Sequence, residues 1–369
     1  SKKQKLTYGI GSSLAIVAVF GGGLAFAMQG GSPQEVVVNS SPDTSEIVEE
    51  VVEVEEQDVP SRKENSSPFS GIQCSNHNHR PIGVMLASDN AARPLSGMSQ
   101  AEIVLEMPVI TGSVTRLLGL FQCNFPTEVG SVRSARHDYI SLMRGWDGIF
   151  AHWGGSHFAL DEIASGVRWT GENLGPIDNV DGRFASGATF RKSQILAPHN
   201  AFFNLERVIE YSKQQGYSLE NTFDGYSFLP DDKVEEFRSG ERGTLYVGFG
   251  GIFATSWKYD PDENHYVRFW SGQEDRDRAT GSQVTPENIV VFKALSQQIE
   301  GQYNTVGIYG EGEAWFYMNG KEIKGTWKKE DFSSPLLFED EDGYPMRFVP
   351  GQTFIQIIEP NQSHRWELD

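Results

Sequence analysis

AEIVLEMPVITGSVTRLLGLFQ, residues 101–122, holds two runs whose reading decides the fold class. EIVLEM (102–107) and VTRLLGLFQ (114–122) are rich in β-branched and long apolar side chains and are bounded by Gly, Pro or polar residues, so both read as strands. Outward from them, IGVML (82–86) and GIFAH (148–152) have the same character. Helical periodicity falls between and after these runs. SARHDYISLMR (134–144) puts Ala135, Tyr139, Leu142 and Met143 on one face, with Ser134 as candidate N-cap. HFALDEIAS (157–165) and AFFNLERVIEYSKQQG (201–216), the latter entered by His199-Asn200 and left at Gly216, repeat the pattern. Strands interleaved with helices predict a mixed α/β domain over 71–235.

From about 240 onward the helix signals nearly vanish. TLYVGFG, FATSWKYD, NHYVRFWSG, NIVVFKAL, EAWFYMNG, KEIKGTWKK and TFIQIIE are short, aromatic and alternating. Pro261–Asn264, Asn319-Gly320 and Asp342-Gly343 supply turns between them. The expected class is therefore α+β, a mixed α/β domain followed by a mainly antiparallel β domain over 240–369.

The N-terminal side carries the address. Tyr8 to Met28 is apolar or small throughout, behind Lys2, Lys3 and Lys5. As a helix it would rise roughly 31 Å, enough to cross a hydrocarbon core of about 30 Å. Residues 1–28 are thus expected to be a membrane anchor with the N-terminus cytoplasmic and the body outside. Ala25-Phe26-Ala27 offers the alternative of a signal peptide cut after Ala27. Residues 29–70, with nine acids and no base between 31 and 60, are expected to form an extended spacer. The whole chain of 369 residues has a formal net charge of −19, and no basic stretch follows a phosphate backbone, which excludes nucleic acid as a partner. The two cysteines, Cys74 and Cys123, both lie in the exported body, where an oxidising compartment favours one disulfide.

Several blocks taken in order resemble the YerB-like family of bacterial envelope proteins, a domain-of-unknown-function family. They are RPIGVML (80–86), ARPLSGMSQAEIVLEM (92–107), VTRLLGLFQ, GSVRSAR (130–136), HWGGS (152–156), PHN (198–200), GTWKK (325–329) and PGQTFIQI (350–357). The resemblance implies an extracytoplasmic, membrane-tethered protein of two connected domains and no established reaction. Many relatives are lipoproteins, yet no Cys follows the apolar segment here, so the tether would be the helix itself. Where the family often has Asn or Asp after the first strand, this chain has Ala87.

The polar blocks fall at strand ends and helix starts, where α/β sheets place their sites. His152, Gly154, Gly155 and Ser156 precede a helix whose N-terminus favours an anion. Arg116, Arg133 and Arg136 would add a guanidinium clamp for carboxylate or phosphate, and His199 and Asn200 are further ligand-binding candidates. The structural alternative is that these arginines tie loops together through buried carboxylates such as Glu102 and Glu106, and for Arg93 that reading is preferred. His152, His157 and His199 match no metal-ligand spacing and HEXXH is absent, so no metal or cofactor is predicted. His77 and His79 lie in a loop near Cys74. Ser156 lacks the final glycine of a nucleophile elbow, and Trp153 and Trp169 are candidates to stack on sugars. The expected function is a tethered binding or scaffolding module for a wall component or an envelope protein. The alternative is an envelope glycan or peptide hydrolase or transferase, with His152 or His199 as general base.

Overall fold

The computed structural model describes residues 62–249 and 251–369. The expected anchor and the spacer as far as residue 61 lie outside the described residues. Among those described, no helix is long and apolar enough to cross a membrane.

The strand readings of the first half hold to within a residue or two, as Ile82–Ala87, Ile103–Pro108, Thr115–Phe121 and Ile149–His152. They are covered on both faces, which is why they read as nearly continuous apolar runs. All four belong to one ten-stranded sheet. Its order is Leu337–Asp340, Lys321–Lys329, Gly310–Met318, Asn288–Lys293, Thr353–Ile358, Ile103–Pro108, Thr115–Phe121, Ile82–Ala87, Ile149–His152 and Asn179–Asp181. The strand Thr353–Ile358 joins the two sequence halves. It runs parallel to Ile103–Pro108 on one side, with Phe354 opposite Val104, and parallel to Asn288–Lys293 on the other, with Ile355 opposite Val290. The division of the chain near 235–240 therefore does not separate two sheets, and the second half is not purely antiparallel. The fold is mainly β, with four α-helices among the described residues. Local alternation cannot reveal this pairing, because parallel partners are brought together by long connections rather than by turns.

A second sheet is wholly antiparallel, in the order Gln273–Glu274, His265–Trp270, Thr255–Asp260, Gly243–Val247 and His364–Leu368. Its Leu245, Trp257 and Tyr266 pack on the face of the central sheet that presents Val104, Val291 and Phe354. The expected turns are present. Asn319 and Gly320, at φ +54° and +69°, close the hairpin between Gly310–Met318 and Lys321–Lys329 in the left-handed geometry a two-residue loop requires.

The opposite face of the central sheet is covered by helices α1 (His137–Gly145) and α2 (His157–Ser165), through Tyr139, Leu142, Trp146 and Ala159. Helix α1 starts later than its periodicity implied, with Arg136 rather than Ser134 at the N-cap position. Helix α3 (Leu205–Gln214) is also shorter than expected. Residues Ala201–Phe203 form a strand, and Asn204 caps the helix by accepting the Arg207 amide at 3.2 Å. Helix α4 (Asp231–Phe237) buries no residue, so no apolar stripe announced it.

The two sheets are held together by a buried ionic network. Arg268, fully buried, donates to Glu106 at 2.8 Å and also pairs with Asp275. Arg93 donates to the same Asp275 at 2.6 Å, and Thr115 donates to Glu106 at 2.7 Å. The Arg268 guanidinium lies over the rings of Phe354 and Trp257, 4.9 and 5.3 Å from their centroids. Arg93 is tied into this network through Asp275. Glu106 does bind an arginine through burial, but its partner is Arg268 of the second half rather than Arg133 or Arg136.

The expected spacer ends earlier than residue 70. Ser66, Ser67, Phe69 and Ser70 are buried, and Phe69 stacks on Phe223 with ring centroids 5.0 Å apart. A little further on, Cys74 and Cys123 form the disulfide, with a Cα–Cα distance of 5.7 Å. It ties the start of the folded body to the end of the strand Thr115–Phe121. Beside it, Glu102 accepts the amides of Gln122 and Cys123 at 2.9 and 2.6 Å. Burial pushes the Glu102 carboxyl up to about 7 despite those bonds. Burial likewise pushes Glu287 up to about 7 and Glu162 up to about 8. Folded protein therefore holds more protons than unfolded protein between the ordinary glutamate value of 4.5 and these raised values. The stability these three groups contribute is present below about pH 4.5 and is lost as pH rises to 8, by up to about 1.4 kcal/mol per pH unit per group. Urea unfolding at pH 5 and pH 8 is expected to show this fall, and Glu102→Gln is expected to reduce it. An equal slope in parent and variant would exclude Glu102 as a source.

Candidate anion-binding site

The site forms at the carboxyl ends of the parallel strands Ile82–Ala87 and Ile149–His152. The segment GSVRSAR is laced between them by backbone bonds. The Arg133 amide donates to Met85 at 2.8 Å, and its carbonyl accepts the Trp153 amide at 3.0 Å. Ala135 donates to Gly154 at 2.9 Å and accepts from Ser156 at 3.1 Å. The antiparallel strand Thr115–Phe121 starts alongside, with Arg116 opposite Ala87. Arg116 is thereby brought beside Arg133 and Arg136 at one edge.

Arg133 donates from Nη2 to Asp89 at 2.8 Å and to His199 Nδ1 at 3.2 Å. Arg116 donates to the Ser134 carbonyl at 3.1 Å, and Arg136 to the Ala135 carbonyl at 3.0 Å. The Arg136 guanidinium also sits 5.4 Å from the Tyr303 ring centroid. Each of the three arginines keeps a buried Nε with no acceptor among the described residues. Burial, followed by the like charges of Arg136 and Arg133, pushes Arg116 down to about 9, against the opposing pull of Asp89. Burial pushes Asp89 up, but the bond from Arg133 and the charges of Arg133, Arg116 and His199 outweigh it and hold the carboxyl below its ordinary range. Burial and then Arg133 push His199 down. Since Arg133 has only donors, His199 Nδ1 accepts, and the neutral ring carries its proton on Nε2. Asp89 thus bonds Arg133 and feels the charge of Arg116, while Arg136 has no carboxylate partner among the described residues.

The remaining candidates have other tasks. His152 is fully buried, contacts the Gly154 carbonyl through Nδ1 at 2.8 Å, and is pushed down by burial. Its ring is walled off from solvent and bonded within the protein. The Gly154 amide, at φ +65°, donates to Asp181 at 3.1 Å, so the glycine loop binds the protein's own carboxylate. Ser156 Oγ accepts the Ala159 amide at 3.2 Å as the N-cap of α2, and the serine is buried. Gly155 pairs with Ala135 as part of the lacing. Asn200 accepts from Arg191 at 2.6 Å, apart from the arginine cluster, and Arg191 stacks on Trp153. His77 and His79 bond backbone carbonyls at 3.0 and 2.7 Å. Among the described residues no group of three His, Cys, Asp or Glu side chains is placed to hold a metal ion. A pocket of about 450 Å³, lined by apolar residues such as Leu229, Phe237 and Met318 and by Lys321, Asp340 and Arg347, includes none of the candidate site residues.

A family described as protein of unknown function (DUF3048) matches the chain twice, through its N-terminal domain at residues 69–218 and its C-terminal domain at 246–355. The chain belongs to this family. A curated relative, "Putative lipoprotein YerB" of Bacillus subtilis (strain 168), is 29% identical over 303 residues, 80% of this chain and 87% of that protein. The crystal structure of the YerB protein from Bacillus subtilis matches with a TM-score of 0.70 at 27% identity, covering 81% of this chain and 99% of the other. The arginine cluster with Asp89 and His199 lies wholly within the family's N-terminal match, whereas Tyr303 comes from its C-terminal match. Asp89 and Tyr303 are the members of the site that sequence reasoning missed. Asp89 lies two residues beyond the end of the first strand, after Ser88. Tyr303 had no local signal.

Proposed function

We propose that this protein is an extracytoplasmic, membrane-tethered binding module whose ligand presents carboxylate or phosphate to Arg116, Arg133 and Arg136. The observation that carries this reading is the excess of guanidinium charge, with Asp89 as the one carboxylate paired into the cluster. Partly buried guanidinium groups gathered together repel one another, and an anion relieves that repulsion while supplying acceptors. The apolar segment 8–28, the disulfide and the lipoprotein designation of the Bacillus relative support a place in the cell envelope. The candidate ligand is an anionic wall component or an acidic patch of an envelope protein.

The test is titration of the full chain with purified anionic wall polymer and with the same polymer after its charges are blocked. Saturable binding is expected for the first and not the second. Arg116→Ala and Arg133→Ala are each expected to weaken it about tenfold or more, a bond to a charged partner contributing about 1.5–3 kcal/mol. Equal binding by parent and both variants would reject the site.

A further inference from the structure

A second pocket, of about 440 Å³, opens where the turn after Asp89 meets the far edge of the five-stranded sheet. Asn90, Arg93 and Pro94 line it from the first half of the chain, and Ile252, Trp270 and Asp275 from the second. The Arg93 side chain is only 8% exposed. Its Nη1 donates to Asp275 at 2.6 Å, and its guanidinium lies over the Trp270 indole, 4.2 Å from the centroid. Among the described residues, its Nε and Nη2 have no acceptor. The indole Nε1 of Trp270, a residue 5% exposed, has none either.

A buried donor left without an acceptor is costly, so three of them in residues lining one pocket call for a partner. Asp275 does not supply it, being shared between Arg93 and Arg268 on the other edge of the guanidinium. Glu274 is paired with Arg276 at 2.8 Å. Nε and Nη2 lie on one side of the guanidinium, spaced to receive both oxygens of a carboxylate in two parallel bonds. The surrounding Trp270, Pro94 and half-exposed Ile252 are apolar. We propose that this pocket binds a small carboxylate-bearing molecule, its carboxylate on the free edge of Arg93 and its apolar body against Trp270 and Ile252. This site is separate from the Arg116–Arg133–Arg136 cluster and does not depend on the reading of that cluster.

The test uses benzoate as probe and benzamide as its uncharged counterpart, added to the full chain labelled with ¹⁵N at arginine and tryptophan. The Nε–H of Arg93 and the indole N–H of Trp270, assigned with Arg93→Lys and Trp270→Phe, are expected to move downfield and saturate with benzoate in the millimolar range suited to so small a ligand. Benzamide is expected to bind at least about tenfold more weakly, for want of a charge-assisted pair of bonds. Ile252→Trp fills the pocket mouth without touching the ionic network, and is expected to abolish the benzoate response while leaving Tm unchanged. Arg93→Lys keeps a cation near Asp275 but removes the fork, and is expected to abolish it too. The proposal fails if neither signal moves, if benzamide binds as well as benzoate, or if Ile252→Trp binds benzoate as the parent does.

Discussion

Glu106→Gln is expected to lower the free energy of unfolding by about 3–5 kcal/mol, the cost of leaving a buried charge without its partner. Arg268 is fully buried between the two sheets, and Glu106 is buried beside it. With Glu106 neutral, Arg268 and Arg93 both depend on Asp275 alone, so two buried cations share one carboxylate. Urea unfolding of parent and variant measures the loss. An exposed pair provides the contrast. Lys63 and Asp231 are 2.6 Å apart with side chains 47% and 75% exposed, and Lys63→Ala is expected to change stability by under about 1 kcal/mol. The double variant Glu106→Leu/Arg268→Met removes both charges together and is expected to cost less than Glu106→Gln alone, because no buried charge is left unpaired. A loss under about 1 kcal/mol for Glu106→Gln would show that water reaches Arg268 and that the network is not sealed.

Removing the disulfide is expected to have the second largest effect. Cys74→Ser/Cys123→Ser opens a cross-link of 49 residues' separation. The chain-entropy model predicts a loss of roughly 3–4 kcal/mol, most of it through a freer unfolded state. The bridge also anchors the point where the buried stretch Ser66–Ser70 begins the body, so the variant is expected to become sensitive to proteolysis near residues 62–80. Thiol labelling of denatured, unreduced protein should detect no free sulfhydryl, and two after reduction. Two free thiols before reduction, in protein exported natively, would exclude the bridge.

The arginines show how far a sequence can be read for a site. The strand ends and the blocks around them located Arg116, Arg133 and Arg136 on one edge, because each block sits at the boundary of a strand or helix whose periodicity is local. What each side chain bonds was not legible. Glu102 was a plausible partner for an arginine and is instead held by the backbone amides of Gln122 and Cys123. Gly154 and Ser156 looked like an anion nest, and their bonding groups are taken by Asp181 and the Ala159 amide. His152 and His199 were alike as candidates, yet one is sealed in the core and the other meets Arg133 and Asp89. Burial separates them, and burial depends on strands that the local sequence does not mention.

By itself the sequence determined the strands of the first half, the hairpin turns, the cysteine pairing and the family. Each of these rests on short-range chemistry, such as alternation along a strand, turn residues with positive φ, or the presence of only two cysteines. Only the tertiary structure decided that Thr353–Ile358 inserts between Asn288–Lys293 and Ile103–Pro108 and so joins both halves in one sheet. It likewise decided that Glu106 meets Arg268, 162 residues away, and that Arg93 faces a pocket with its fork free. The physical reason is the same throughout. Parallel pairing and buried charge pairing are contacts between distant segments, chosen by which apolar faces pack together, and no local period in the chain encodes that choice.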